Sequence, residues 1–124
     1  MSKIVTEAMN FDQLFAGEVP YIVKVKVAKA SYKRGELLEC VVSDGAMAAT
    51  YGKPTAKASI NNAYVICAED VEAEANDVVV AYKEGYFNAN KVTLATSTTV
   101  ADNVDVLNAK NIFLLNTQDN SVTA

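Results

Sequence analysis

The sequence predicts a small β-rich α+β domain, with mixed strands, one C-terminal helix and an extended N-terminal arm. Three observations carry this. From Tyr21 the apolar residues recur with a period of two, as in "YIVKVKV". The two most apolar runs, "AYVICA" and "DVVVAYKEGYF", have strand length and composition. A single helical stripe, opened by Thr99, stands near the end. At 124 residues the chain is one domain by size, able to bury a single core, and no internal repeat is visible.

Residues 1–19 form the arm. Ile4, Val5, Met9, Phe11, Leu14 and Phe15 are apolar but interspersed with polar residues ahead of Pro20. Asn10 and Gln13 resemble a capping box and Gly17 can end a turn, which allows at most one short helix, too short to be stable alone. The domain proper spans 20–115. In its first strand Tyr21, Val23, Val25 and Val27 face one way, and Lys24 and Lys26 the other. "SYKRGE" is a turn, with Gly35 free to take positive φ, and "LLECVV" is the second strand. Asp44-Gly45 signals a hairpin back through "AMAAT". Residues 50–62 read as a long loop. The two apolar strands follow, with Gly85 a bulge site. Thr99 caps a helix reaching Lys110: Asp102 sits at its third position and Val100, Val104 and Leu107 make the stripe. Asn111 supplies a left-handed stop, "IFLL" is a last buried strand, and 116–124 is a polar tail.

Composition excludes much chemistry. The chain has no histidine, which removes Ser-His-Asp and Cys-His catalysis and HExxH zinc sites. It has no phosphate-binding glycine loop. The net charge of −4 argues against nucleic acid as the main partner. No apolar run approaches the ~20 residues that span a bilayer. The N-terminus lacks the order of a signal peptide, so synthesis is expected in the cytoplasm. Cys40 and Cys67, in no CxxC motif, read as small buried hydrophobes in reduced form. No cofactor and no catalytic activity are expected.

Three stretches are candidates for function. Glu69, Asp70, Glu72, Glu74 and Asp77 crowd five carboxylates between two apolar runs. A calcium loop begun at Asp70 needs Gly and Glu where the chain has Ala75 and Ala81, so the stretch reads as a solvated connector, ahead of weak cation binding or carboxylate catalysis. Lys24, Lys26, Lys29, Lys33 and Arg34 make either a wet strand face running into a turn or a contact for an acidic protein. The apolar arm either packs back on its own domain or tethers a partner: Ile4, Val5 and Thr6 as an added strand, Met9, Phe11, Leu14 and Phe15 as anchors.

"YKRGELLECVV", "VICAEDVEA", "VVAYKEGYFN" and "NIFLL" together resemble the bacteriophage lambda-like head decoration proteins. In that family a Gly-containing turn enters a strand, an "ILAEDVDA"-like stretch follows, then "VYVRGEFN", a helix and a closing "GIFL". Order and spacing agree over roughly residues 20–115. Asn111 departs from a usual Gly, as does Tyr64-Val65 from a small Gly step. The resemblance implies a β-tulip-like fold and a non-enzymatic homotrimer on the outer surface of the phage virion. It would cement the major capsid protein at three-fold and quasi-three-fold sites of the expanded head, with arms that order on the shell and no direct contact with nucleic acid or membrane. The rival reading is a small-molecule-binding or enzyme-accessory barrel, since "YKRGELLE" is also similar to turns of biotinyl-type domains. Those present a modified lysine between methionines, which this chain lacks. Another phage structural or adhesin domain is a further alternative.

Overall fold

The computed structural model describes residues 13–18, 20–43, 46–47 and 49–116. The strands are β1 (Tyr21–Val27), β2 (Ala30–Tyr32), β3 (Leu37–Cys40), β4 (Val42–Ser43), β5 (Ala46–Met47), β6 (Ala63–Cys67), β7 (Val71–Ala73), β8 (Asp77–Asn88) and β9 (Ile112–Leu115). A 3-10 turn (Ala89–Lys91) and helix α1 (Val100–Ala109) lie between β8 and β9. This is the expected β-rich domain with one helix, and it is not a closed barrel.

One mostly antiparallel sheet, ordered β1-β8-β6-β3, organises the fold, with β9 parallel to the second half of β8. Cross-strand neighbours sort its side chains onto two faces. Leu37, Ile66 and Tyr82 share one face with Leu107 of α1 and Ile112 and Leu114 of β9. Leu38, Val65, Cys67, Val79 and Ala81 share the other with Tyr32 and Ala73 of the β2–β7 ribbon. Both faces are therefore covered, which is why β6 reads as a nearly continuous apolar run rather than an alternating one.

Several expectations hold in detail. Thr99 and Asp102 exchange both capping-box hydrogen bonds, and Asn111 takes φ 65. Ser43 pairs with Ala46 across the expected hairpin, whose Asp44-Gly45 lies outside the described residues, as does 117–124 of the tail. Cys40 and Cys67 are buried and in no disulfide among the described residues, and desolvation pushes both thiols above the usual range, so they stay protonated and poorly nucleophilic near neutral pH.

Others are corrected. The bulge lies at Lys83, where pairing steps from Ile22–Tyr82 to Tyr21–Glu84; Gly85 serves a different need, because a Cβ there would lie 2.6 Å from that of Pro20. Residues 50–62 are not wholly a loop. Tyr51 bridges to Val27 and Gly52 to Glu39, so two residues join the edge strands at one end of the sheet. The buried stripe of α1 runs through Asn103 and Leu107, while Val104 is half-buried. Asn103 Oδ1 accepts the Ala58 N–H at 2.7 Å and its Nδ2 donates to the Thr99 carbonyl at 2.7 Å. A polar residue thus ties helix to loop where periodicity alone favours a hydrophobe. Residues 13–18 form no helix: Phe15 pairs antiparallel with Phe87, the Ala16 N–H donates to Tyr86 O, and the Asn88 N–H to Leu14 O. Those backbone groups are spent on the sheet.

Candidate functional site

The acidic stretch resolves into separate local roles. Val71–Ala73 is strand β7, so the segment is structured rather than a plain connector. Glu69 Oε2 accepts the Val80 N–H at 2.8 Å, and Asp70 Oδ1 accepts the Arg34 N–H at 2.8 Å. Ser31 Oγ donates to Glu72 Oε2, Lys29 faces Glu74 at 3.6 Å, and Asp77 Oδ2 accepts the Glu74 N–H. Asn76, at φ 70, makes the turn between the last two acids. Five carboxylates thus serve five different partners, and among the described residues no three acidic or thiol groups converge as a metal site would require. Treatment with EDTA is expected to leave the melting temperature within about a degree, since a bound structural ion would add stability by mass action. Differential scanning calorimetry checks this.

The basic cluster divides. Arg34 turns inward: Nη1 donates to the Ala68 carbonyl and to the Tyr82 hydroxyl, and its guanidinium lies 5.3 Å from the Phe15 ring centre and 5.5 Å from that of Tyr82. Phe15 meets Tyr82 edge-on at 5.0 Å. Arg34 is therefore a clasp holding the start of the domain, a role its place in a charge run conceals. Lys24, Lys26 and Lys33 remain exposed, and Lys29 faces the exposed Glu74.

Of the proposed arm residues, Ile4, Val5, Thr6, Met9 and Phe11 lie outside the described residues. Leu14 and Phe15 do not point to a partner. Leu14 is 1% exposed inside the first core, and Phe15 packs on the same cluster. The domain boundary moves back from 20 to about 13, and the apolar spacing that looked like a tether is here a bridge strand.

Two further features were not legible from the chain. Tyr86, 48% exposed, stacks on Phe113 at 4.9 Å beside a shallow cleft of about 330 Å³ that also touches Pro20, Tyr21 and Glu84. Its walls also carry Glu18, Gly85 and Asn111. The second is the Glu39–Tyr64 pair. Tyr64 Oη donates to Glu39 Oε2 at 2.6 Å and accepts the Ser59 N–H, while Asn62 Nδ2 donates to the same carboxylate oxygen. Burial, then the carboxylate bond, push the phenol up to about 12. The folded state holds this proton more tightly than the unfolded chain does. Stability is thus undiminished below the ordinary phenol value of 10.0 and falls as pH rises toward about 12. Tyr64→Phe should flatten that fall in denaturant melts and remove one late-titrating phenol from the ultraviolet difference titration.

In comparison with known proteins, no protein-family model and no curated protein matches the chain. Among the described residues no helix is long and apolar enough to cross a membrane.

Proposed function

We propose that this protein is a capsid decoration protein of a tailed bacteriophage. It binds as homotrimers at three-fold and quasi-three-fold sites of the expanded head and stabilises the shell against internal DNA pressure. One observation carries the reading: four segments resembling the lambda-like decoration proteins occur in order and in register. In the fold they become the Gly35 turn with β3, the successive strands β6 and β7, β8, and β9. The fold adds support in kind, being a small β-rich domain with one helix between its last two strands, compatible with the β-tulip-like architecture of that family. The partner is the major capsid protein, the role is structural rather than enzymatic, and no cofactor is needed.

The tether is assigned to residues 1–12, ahead of the Phe15 bridge, with Ile4, Val5 and Thr6 adding as a strand and Met9 and Phe11 as apolar anchors. Ordering costs ~1–2 kcal/mol per residue, so one arm binds weakly and three on a trimer gain avidity. The test is sedimentation of purified protein with expanded and unexpanded heads, with bound copies counted by cryo-electron microscopy. Three copies per three-fold site on expanded heads, lost on deleting residues 1–12, are expected. Saturation by the truncated protein at unchanged affinity would refute the tether, and no binding by the full chain would refute the function.

A further inference from the structure

We infer that the outer edge of β1, from Tyr21 to Val25, is a docking edge for an extended acidic protein segment, which adds to the sheet as a further strand. The inference stands whether or not the protein sits on a phage head.

The edge is defined by hydrogen bonding. In an antiparallel pair, alternate residues direct both backbone groups toward the neighbour and the residues between direct theirs away. Val27 O accepts the Asn76 N–H on the β8 side, whereas Lys26 O accepts the Tyr51 N–H on the opposite side. Counting back by twos, Lys24 and Ile22 turn their N–H and C=O groups away from β8. Neither has a backbone partner there among the described residues, so four ladder groups stand open. Tyr51 closes the edge from Lys26 onward, which limits an incoming strand to about five residues.

Side chains state the partner's chemistry. Ile22, Lys24 and Lys26 share one face of the strand, beside Val80 and Val78 of β8. Both lysines are exposed and in no ion pair among the described residues, and Ile22 and Val78 are 53% and 57% exposed. On the opposite face Tyr21 is 64% exposed and Val23 and Val25 half-buried. A strand laid along this edge meets positive charge on one face and apolar surface on the other. It matches a segment with carboxylates at alternate positions and small apolar residues between them. A second copy of β1 does not fit, since an antiparallel β1–β1 ribbon puts four lysines on one face. Lysines on open edges also discourage indiscriminate pairing, and the same charge that repels copies selects an acidic strand.

The probe is the blocked peptide Thr-Glu-Val-Glu-Val-Asp-Thr, fluorescently labelled, with its Glu and Asp replaced by Lys as the control. Binding to the full chain is read by anisotropy, and amide exchange is followed by NMR. The acidic peptide is expected to bind and to slow exchange at the Ile22 and Lys24 amides; the lysine peptide should do neither. Lys24→Glu with Lys26→Glu should weaken binding by about tenfold or more, through reversal of the charge opposite the incoming strand at Lys24 and of its diagonal neighbour at Lys26. Lys24→Pro removes an outward N–H while leaving the β1–β8 ladder intact, and should abolish binding with little change in melting temperature. Failure of the acidic peptide to bind, equal binding of both peptides, or full binding by folded Lys24→Pro protein would each overturn the inference and leave the lysines as edge guards only.

Discussion

Replacing Leu14 by alanine is expected to lower the melting temperature by roughly 10–20 °C. The side chain is 1% exposed among Leu37, Phe87 and Val92, and truncating such a leucine costs ~3–5 kcal/mol. The neighbours cannot close the space cheaply, because the backbone on either side is fixed by the Leu14 O–Asn88 N and Ala16 N–Tyr86 O bonds. Nested truncation sharpens the test. Removing residues 1–12 spares the Phe15 bridge, its edge-on contact with Tyr82 and the Arg34 clasp, and on the tether reading the domain should melt near the full-length value. Removing 1–19 takes all three and should unfold the domain or lower its melting temperature by more than Leu14→Ala does. Circular dichroism melts of the three proteins separate a tether from a structural strand. Equal melting of the two truncations would show that residues 13–19 add nothing to the core.

Gly35→Ala should be nearly as damaging. Gly35 sits at φ 94, and a Cβ added there would lie 2.6 Å from the Lys91 carbonyl oxygen, which is backbone and cannot swing aside. Retreat is blocked on both sides, since the Gly35 N–H donates to Cys67 O and its carbonyl accepts the Thr93 N–H. Left-handed strain and the clash together should cost ~3–5 kcal/mol, read as a drop in denaturant midpoint at unchanged slope. Gly52→Ala is the matched control: its nearest new neighbour is Ala28 Cβ at 3.9 Å and its backbone is ordinary, so a change within ~1 kcal/mol is expected. If both variants melted alike, the turn would be more compliant than its hydrogen bonds imply.

What could be read from the chain follows from where the forces are local. The α1 cap was legible because Thr99 and Asp102 lie within one turn of each other, and the Asn111 stop because a left-handed residue is chosen by its own side chain. β6 and β8 were legible as apolar runs bounded by polar ones. Leu14 and Phe15 were misassigned because their partners, Asn88 and Phe87, lie more than seventy positions away and nothing local marks a bridge. Separation along the chain also hid Arg34, whose aromatic neighbours Phe15 and Tyr82 flank it only after folding. Asn103 was passed over because hydrophobic periodicity ignores a buried amide that caps a distant loop. The acidic stretch lacks the Gly and Glu of a calcium loop, which could be read locally, whereas strand β7 within it needed β2 to be seen.

The twelve-residue strand β8 carries a consequence for how the chain assembles during synthesis. Its neighbours come from residues 15, 21–27, 66–67 and 112–115, so no stretch of nascent chain supplies them all. The first half of β8 can pair as soon as it emerges, since β1 and β6 already exist. The second half waits for β9, whose parallel approach requires the α1 crossover to form first. Such distant pairings place folding in the milliseconds-to-seconds range rather than among fast helical domains. A ribosome that stalls before residue 112 releases a chain whose second half of β8 lacks β9 and whose apolar surface is uncovered. Those products are the ones a cell's proteases and chaperones should meet.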